Sequence, residues 1–227
     1  LVPMTTCFVR EHVNSLASLG FKSIKVASYD CASFPLLKEL VGHFEEIVVS
    51  TGATFDDEVI YAAEILKNTN FSFLHCVTLY PTPLNQMHIA RMEWLRNFTA
   101  SVGYSDHSLV SETGLLASKA ALALGADILE RHFTILHQEE TRDGSVSINK
   151  DQLQELSNFS KLSSADRLIK MDNDYPDWKI VIGDKERVLT DDELLNRDYY
   201  RGRFASLRKE SSFGNRMIYN WEETPLA

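Results

Sequence analysis

Along most of the chain, short apolar runs alternate with longer stretches whose apolar residues recur at helical spacing. The runs Leu1–Thr6, Ser23–Ser28, Ile47–Thr51, Phe73–Val77, Ser101–Ser105 and Asp127–Phe133 are expected to be strands. Between them, Val9–Leu19 reads as a helix closed by Gly20, because glycine accepts the left-handed backbone of a C-terminal cap. Asp56–Lys67 reads as a second helix, with Thr54 as its expected cap and Asp57 near its positive end. Glu112–Leu124 reads as a third, stopping at Gly125, and another is expected near Lys150–Leu162. Strands apolar on both faces and separated by single helices imply parallel pairing through crossovers.

Six such units fit a (β/α)8 TIM barrel lacking its first two βα units, or an open doubly wound sheet. Polar residues gather at the strand C-termini: Thr5–Thr6, Ser28–Asp30, Ser50–Thr51, Tyr80, Ser105–His107 and His132. A barrel brings all such ends to one mouth, and neither GxGxxG nor GxxxxGK[ST] occurs, so the barrel is preferred. Residues 1–165 are therefore expected to form a partial TIM-barrel domain. After it the rhythm stops. Residues 166–227 read as an irregular C-terminal tail, loop-like over Met171–Ile182 with a short strand at Lys179–Ile182.

Composition narrows the classes. The 227 residues are 44% hydrophobic and 24% charged, as in a globular domain. A formal net charge of −9 opposes general binding to nucleic acid or anionic membrane while permitting a local basic pocket. Three cysteines without a CxxC pair favour a reducing, cytoplasmic setting over a secreted one. No apolar run approaches the ~20 residues of a bilayer span, and no signal peptide is read at Leu1, where the absent initiator Met suggests further upstream sequence.

Four constellations could carry chemistry. Ser105-Asp106-His107 and Glu130-Arg131-His132 end neighbouring strands, so their imidazoles could converge on one divalent cation, with Asp106 orienting or supplementing the ligand set. The same residues are equally compatible with one core and one surface histidine. Lys25 in Lys25-Val-Ala-Ser28 is costly inside a barrel unless it meets an anion; otherwise its ammonium snorkels to water. Ser50-Thr51-Gly52 offers hydroxyls and an amide for an oxyanion, although Ser-Thr-Gly is also ordinary turn chemistry. In His75–Pro83, the prolines stop a strand and shape a loop, and Cys76 reads as packing rather than as a nucleophile.

Taken in order, these blocks resemble the N-acetylneuraminate (sialic acid) synthase family, with its pseudaminic and legionaminic acid counterparts. The resemblance rests on Lys25–Ser28, Ser50–Gly52, Leu74–Cys76, Tyr80–Pro83, Gly103–His107, Leu124–Ala126 and Glu130–Thr134. It implies a carbon–carbon-bond-forming transferase. Phosphoenolpyruvate would condense with an N-acetylmannosamine-type aldehyde to a nine-carbon 2-keto acid of cell-surface polysaccharide, releasing phosphate. It also implies a divalent cofactor, manganese or magnesium, on His107 and His132. Thr6, Lys25, Ser28, Ser50 and Ser105 would contact phosphoenolpyruvate. Tyr80 would contact the sugar, and Asp143 would act near the sugar or the metal-bound water. A homodimer is implied as well, because the family's C-terminal domain lends an arginine to the partner's site.

Two positions depart from the family pattern. Asp30 stands where a glutamate is usual and Thr78 where an asparagine is usual, and the two are expected either to retune sugar recognition or to weaken activity. The family's first two strands and its C-terminal domain are not recognised, so six strands would leave two open barrel edges. Two competing readings remain: a non-catalytic homologue binding metal or sugar phosphate, and another metal-dependent barrel aldolase or lyase.

Overall fold

A computed structural model describes residues 1–208 and 215–226. Along the chain run β1 (Thr5–Thr6), α1 (Val13–Ser18), β2 (Ser23–Val26), α2 (Phe34–Leu40), β3 (Glu46–Ser50), α3 (Asp56–Leu66) and β4 (Phe71–Cys76). There follow α4 (Arg91–Leu95), β5 (Ser101–Asp106), α5 (Val110–Thr113), α6 (Leu116–Ala123), β6 (Ile128–Arg131), α7 (Lys150–Ser160) and α8 (Ser164–Asp174). Helix α9 (Asp191–Tyr200) and an antiparallel pair, β7 (Ala205–Arg208) with β8 (Arg216–Tyr219), complete the described elements. The strand order is β1-β2-β3-β4-β5-β6, and the pairs β1·β2, β2·β3 and β5·β6 are parallel. This is the expected α/β alternation, with all six strands within a few residues of their predicted places.

The chain forms two compact units, Leu1–Phe73 with Leu189–Ala227, and Leu74–Val188. In the first, Ile24 and Val26 of β2, Ile47 and Val49 of β3, and Leu36, Leu37 and Leu40 of α2 are buried. Gly20 holds φ +87 after α1, as its role at the helix end requires. Thr54 does not cap α3. Its hydroxyl donates to the carbonyls of Gly52 (3.0 Å) and Ser28 (3.3 Å), while the Phe55 amide donates to Glu58 Oε2 (2.9 Å). The helix start is thus satisfied by its own third residue, which frees Thr54 to bind the turn.

The second unit buries Leu74, Val102 and Tyr104, and helix α6, which packs on β5, buries the small side chains of Ala117, Ala120 and Ala121. The helix expected over Glu112–Leu124 is broken into α5 and α6 by Gly114 at φ +56. Gly103 faces Ile128 in the β5·β6 register, and a Cβ there would lie 2.3 Å from the Ile128 carbonyl and 2.6 Å from Leu74 Cδ2. Gly103→Ala is therefore expected to destabilise the protein by about 1–3 kcal/mol, since the obstacle is backbone and cannot rotate away. A melting temperature equal to the parent's would show that the strands separate freely.

The tail is more regular than its sequence pattern indicates. The segment expected to be loop from Met171 begins inside α8, and the proposed strand Lys179–Ile182 is instead a 3-10 turn, Trp178–Val181. An apolar run this short does not distinguish the two states. Here Trp178 Nε1 donates to Asp172 (2.8 Å), and the Val181 and Ile182 carbonyls accept from Ile89 and Ala90 (3.0 and 2.8 Å). Helix α9 starts with a reciprocal Thr190–Glu193 cap, a local signal within the region that otherwise shows no rhythm.

Candidate metal centre and anion-binding residues

In the second unit the register of two strands builds the histidine pair. Ser105 lies opposite Glu130 and Asp106 opposite Arg131, so the two three-residue motifs run side by side in phase. Successive side chains of a strand alternate between faces, which sorts the motifs into two layers. In one layer Ser105 Oγ donates to Glu130 Oε1 (2.6 Å), and the His107 and His132 rings lie 5.3 Å apart between centroids. In the other, Asp106 and Arg131 form a buried ion pair. Asp106, fully buried, also accepts from Ser118 Oγ (2.5 Å) and the Ser108 amide (2.8 Å), and Arg131 donates to the Ser108 hydroxyl and carbonyl (both 2.8 Å). Asp106 accordingly orients the strand end and is occupied by these partners.

Two loops furnish the rest. After β4, the Thr82 amide donates to the His107 carbonyl (2.9 Å) and the Thr82 hydroxyl to the Leu79 carbonyl (2.7 Å). This closes the loop so that the half-exposed Tyr80 ring lies 4.0 Å from His107 and 6.0 Å from His132. Thr78 is buried in the same loop. After β6, the Ile148 amide donates to the His132 carbonyl (2.8 Å) and Ile148 bridges Phe133. The intervening residues thus form a closed excursion, and it returns Asp143 to His132, with Oδ2 3.7 Å from Nδ1.

Burial, then the neighbouring His132, pushes the His107 imidazole down to about 4, so it is neutral at neutral pH and retains a lone pair for a cation. Among the described residues no group of three or more His, Cys, Asp or Glu side chains is arranged to hold a metal. The two imidazoles alone would leave most positions of a divalent ion to water or substrate. Cys76 is buried with Sγ 3.7 Å from His107 Nδ1, a neighbour that spacing alone did not indicate.

In the first unit, Thr6 pairs with Lys25, and Lys25 pairs with Val48. Lys25 is only 9% exposed, so its stem is buried in the first unit. Ser28 and Ser50 are buried as well. The Ser50 hydroxyl makes no hydrogen bond among the described residues, which is unusual for a buried polar atom. Asp30 is buried, and its Oδ1 accepts from Ser33 (2.9 Å) and Asn220 (2.9 Å); burial raises its pKa above the usual carboxylate range, partly offset by these bonds. Asp30 is thus engaged within its own unit. The other two thiols are inert: burial pushes Cys7 up to about 11 and Cys31 to about 12. No described helix is long and apolar enough to cross a membrane.

A family model described as the NeuB family matches residues 1–166. The N,N'-diacetyllegionaminic acid synthase of Campylobacter jejuni is 35% identical over 159 residues, covering 67% of this chain and 46% of that protein. The sialic acid synthetase of Leptospira borgpetersenii, solved with citrate, superposes at a TM-score of 0.62 and 26% identity, covering 76% of this chain and 65% of that one. A spore coat polysaccharide biosynthesis protein of Bacillus subtilis superposes at a TM-score of 0.75 and 21% identity, over 96% of this chain and 63% of that one, and so shares the fold. The chain spans about half the length of the curated relatives it matches.

Proposed function

Because the chain belongs to the NeuB family, we propose that it carries the phosphoenolpyruvate- and metal-binding residues of a synthase that condenses phosphoenolpyruvate with an N-acetylated amino-sugar aldehyde. The observation that carries this reading is the in-phase pairing of Ser105-Asp106-His107 with Glu130-Arg131-His132, which brings two imidazoles together beside Tyr80 and Asp143. A TIM barrel is the fold proposed for the whole protein, including any strands that complete it.

The chemistry asks little of covalent catalysis and much of positioning. Carbon 3 of phosphoenolpyruvate attacks the aldehyde carbon, leaving positive character at carbon 2. Water adds there, and the C–O bond to phosphate breaks as the 2-keto acid forms. A divalent ion, manganese or magnesium, on His107 and His132 would act as a Lewis acid toward the aldehyde oxygen. Asp143, half-exposed beside His132, would accept a proton from water or a sugar hydroxyl. The half-exposed Tyr80 ring offers the sugar an apolar face and a hydroxyl. Within the first unit, Thr6, Lys25, Ser28 and Ser50 would bind carboxylate and phosphate, since a buried lysine and an unpartnered buried hydroxyl both suit an anion. Thr78 and Asp30 would act on sugar choice, Asp30 indirectly through its bonds to Ser33 and Asn220.

The test is phosphate release from phosphoenolpyruvate with a series of amino-sugar aldehydes, with and without a chelator. Lys25→Met is expected to weaken phosphoenolpyruvate binding by roughly 30- to 140-fold, the loss of about 2–3 kcal/mol of charge-assisted hydrogen bonding. Phosphoenolpyruvate affinity within twofold of the parent's would remove Lys25 from the site. Metal-dependent cleavage of a sugar acid without phosphoenolpyruvate would favour the lyase reading. Binding without turnover for any aldehyde would favour a non-catalytic homologue.

A further inference from the structure

Within the first unit, the turn Ser50–Phe55 that follows β3 is held by residues distant in sequence. Ala53 has φ +50, a left-handed conformation that a residue with a Cβ adopts only under constraint. Its carbonyl accepts from one amino group of Arg197 on α9 (2.5 Å). The other amino group meets Glu58 Oε1 (2.5 Å), and the guanidinium lies 4.4 Å from the Phe55 ring centre. Arg197 is 5% exposed and joins two points of this turn, Ala53 and Phe55, to Glu58 in the first turn of α3, a geometry suited to a planar fork rather than to a lysine ammonium. Thr54 ties the same turn to Ser28 through the Ser28 carbonyl. At the start of this turn stands Ser50, 2% exposed, with a hydroxyl that no described residue satisfies.

We propose that Arg197 is a positioning residue that holds the Ser50–Gly52 turn in the conformation that receives an anionic phosphate group. This rests on the reading of Ser50 as a phosphoenolpyruvate contact. The tail then serves the substrate without touching it: α9 fixes the turn after β3, while Asn220 fixes the turn after β2 by donating to Asp30 (2.9 Å) and to the Phe8 carbonyl (2.8 Å). Arg201 also reaches Glu58 (3.1 Å), so removing Arg197 does not strand that carboxylate, and the variant is expected to fold.

The experiment compares parent, Arg197→Met, Arg197→Lys and the double variant Arg197→Met/Ala53→Gly, by calorimetric titration with phosphoenolpyruvate and by amide hydrogen exchange. In Arg197→Met, exchange at residues 52–55 should speed up while the cores keep their protection. Phosphoenolpyruvate affinity should fall about 10- to 100-fold, the scale of misplacing a binding group by about an ångström. Lysine should restore part of the affinity. Glycine at 53, which accepts positive φ freely, should also restore part of it without the arginine. Faster exchange with unchanged affinity would show that the turn does not serve the anion and would overturn the proposal. Unchanged exchange would show that Arg197 is no clamp. A parent that binds no phosphoenolpyruvate, yet shows the exchange difference, would defeat the reading of Ser50 and the proposed service to it while leaving the clamp itself demonstrated.

Discussion

His132→Ala is expected to lower phosphate release by about 10³-fold and to abolish tight binding of the divalent ion. The magnitude follows from losing a Lewis acid worth several kcal/mol, at 1.36 kcal/mol for each factor of ten. His132 tests the pair more cleanly than His107. Its side chain is 34% exposed and makes a 3.7 Å contact with Asp143, so alanine there leaves no large cavity. His107 is buried, packs its ring against Tyr80 and offers its carbonyl to Thr82, so its loss mixes chemistry with folding. The measurement is a titration with manganese alongside the rate at saturating manganese. His132→Ala should bind manganese at least tenfold more weakly, with its melting temperature in metal-free buffer nearly that of the parent. A variant that keeps full manganese affinity and a rate within tenfold would mean that the ion is not held by this pair.

What the sequence disclosed and what it withheld divide along contact distance in the chain. Strand positions follow from local apolar runs, and the histidine pair follows from two short motifs that both end strands, so both were readable. Lys25 was readable as a buried cation only as one of two alternatives, because a single lysine on an apolar strand fits either burial or snorkelling; the residue is 9% exposed. The role of Thr54 was misread because a threonine before an acidic helix turn is a common cap, and nothing local shows that the Gly52 and Ser28 carbonyls compete for its hydroxyl. Arg197 and Asn220 were missed altogether. Their partners, Ala53, Glu58 and Asp30, lie more than a hundred residues away in the sequence, and an arginine or asparagine in an aromatic, charged tail carries no local signature. The sugar is likewise unread, since pocket shape decides it and the motifs do not.

Asp106 and Arg131 supply the largest expected change in stability. Asp106 is fully buried, and the Arg131 side chain is 3% exposed. Each lies one residue before a histidine, in the layer opposite the imidazoles, and their ion pair crosses from β5 to β6 at the register position just before the pair of rings. Arg131→Met removes the countercharge and leaves the carboxylate with only Ser118 and the Ser108 amide as donors. Breaking one side of such a pair costs about 3–5 kcal/mol, because the remaining charge stays desolvated. For a chain of this size that corresponds to a fall in melting temperature of roughly 6–20 °C. Replacing both partners, as in Asp106→Leu/Arg131→Met, should cost less than Arg131→Met alone, since no orphan charge remains. The double variant should nonetheless bind manganese more weakly than the parent by about 10- to 100-fold, the usual penalty when the groups that orient metal ligands are lost. Thermal melts of the two single variants and the double, combined into a coupling energy, measure the first effect, and a manganese titration of the double variant measures the second. Additive losses would show that the two side chains do not act as a unit. Full manganese affinity in the double variant would show that the histidines hold their places without the ion pair beneath them.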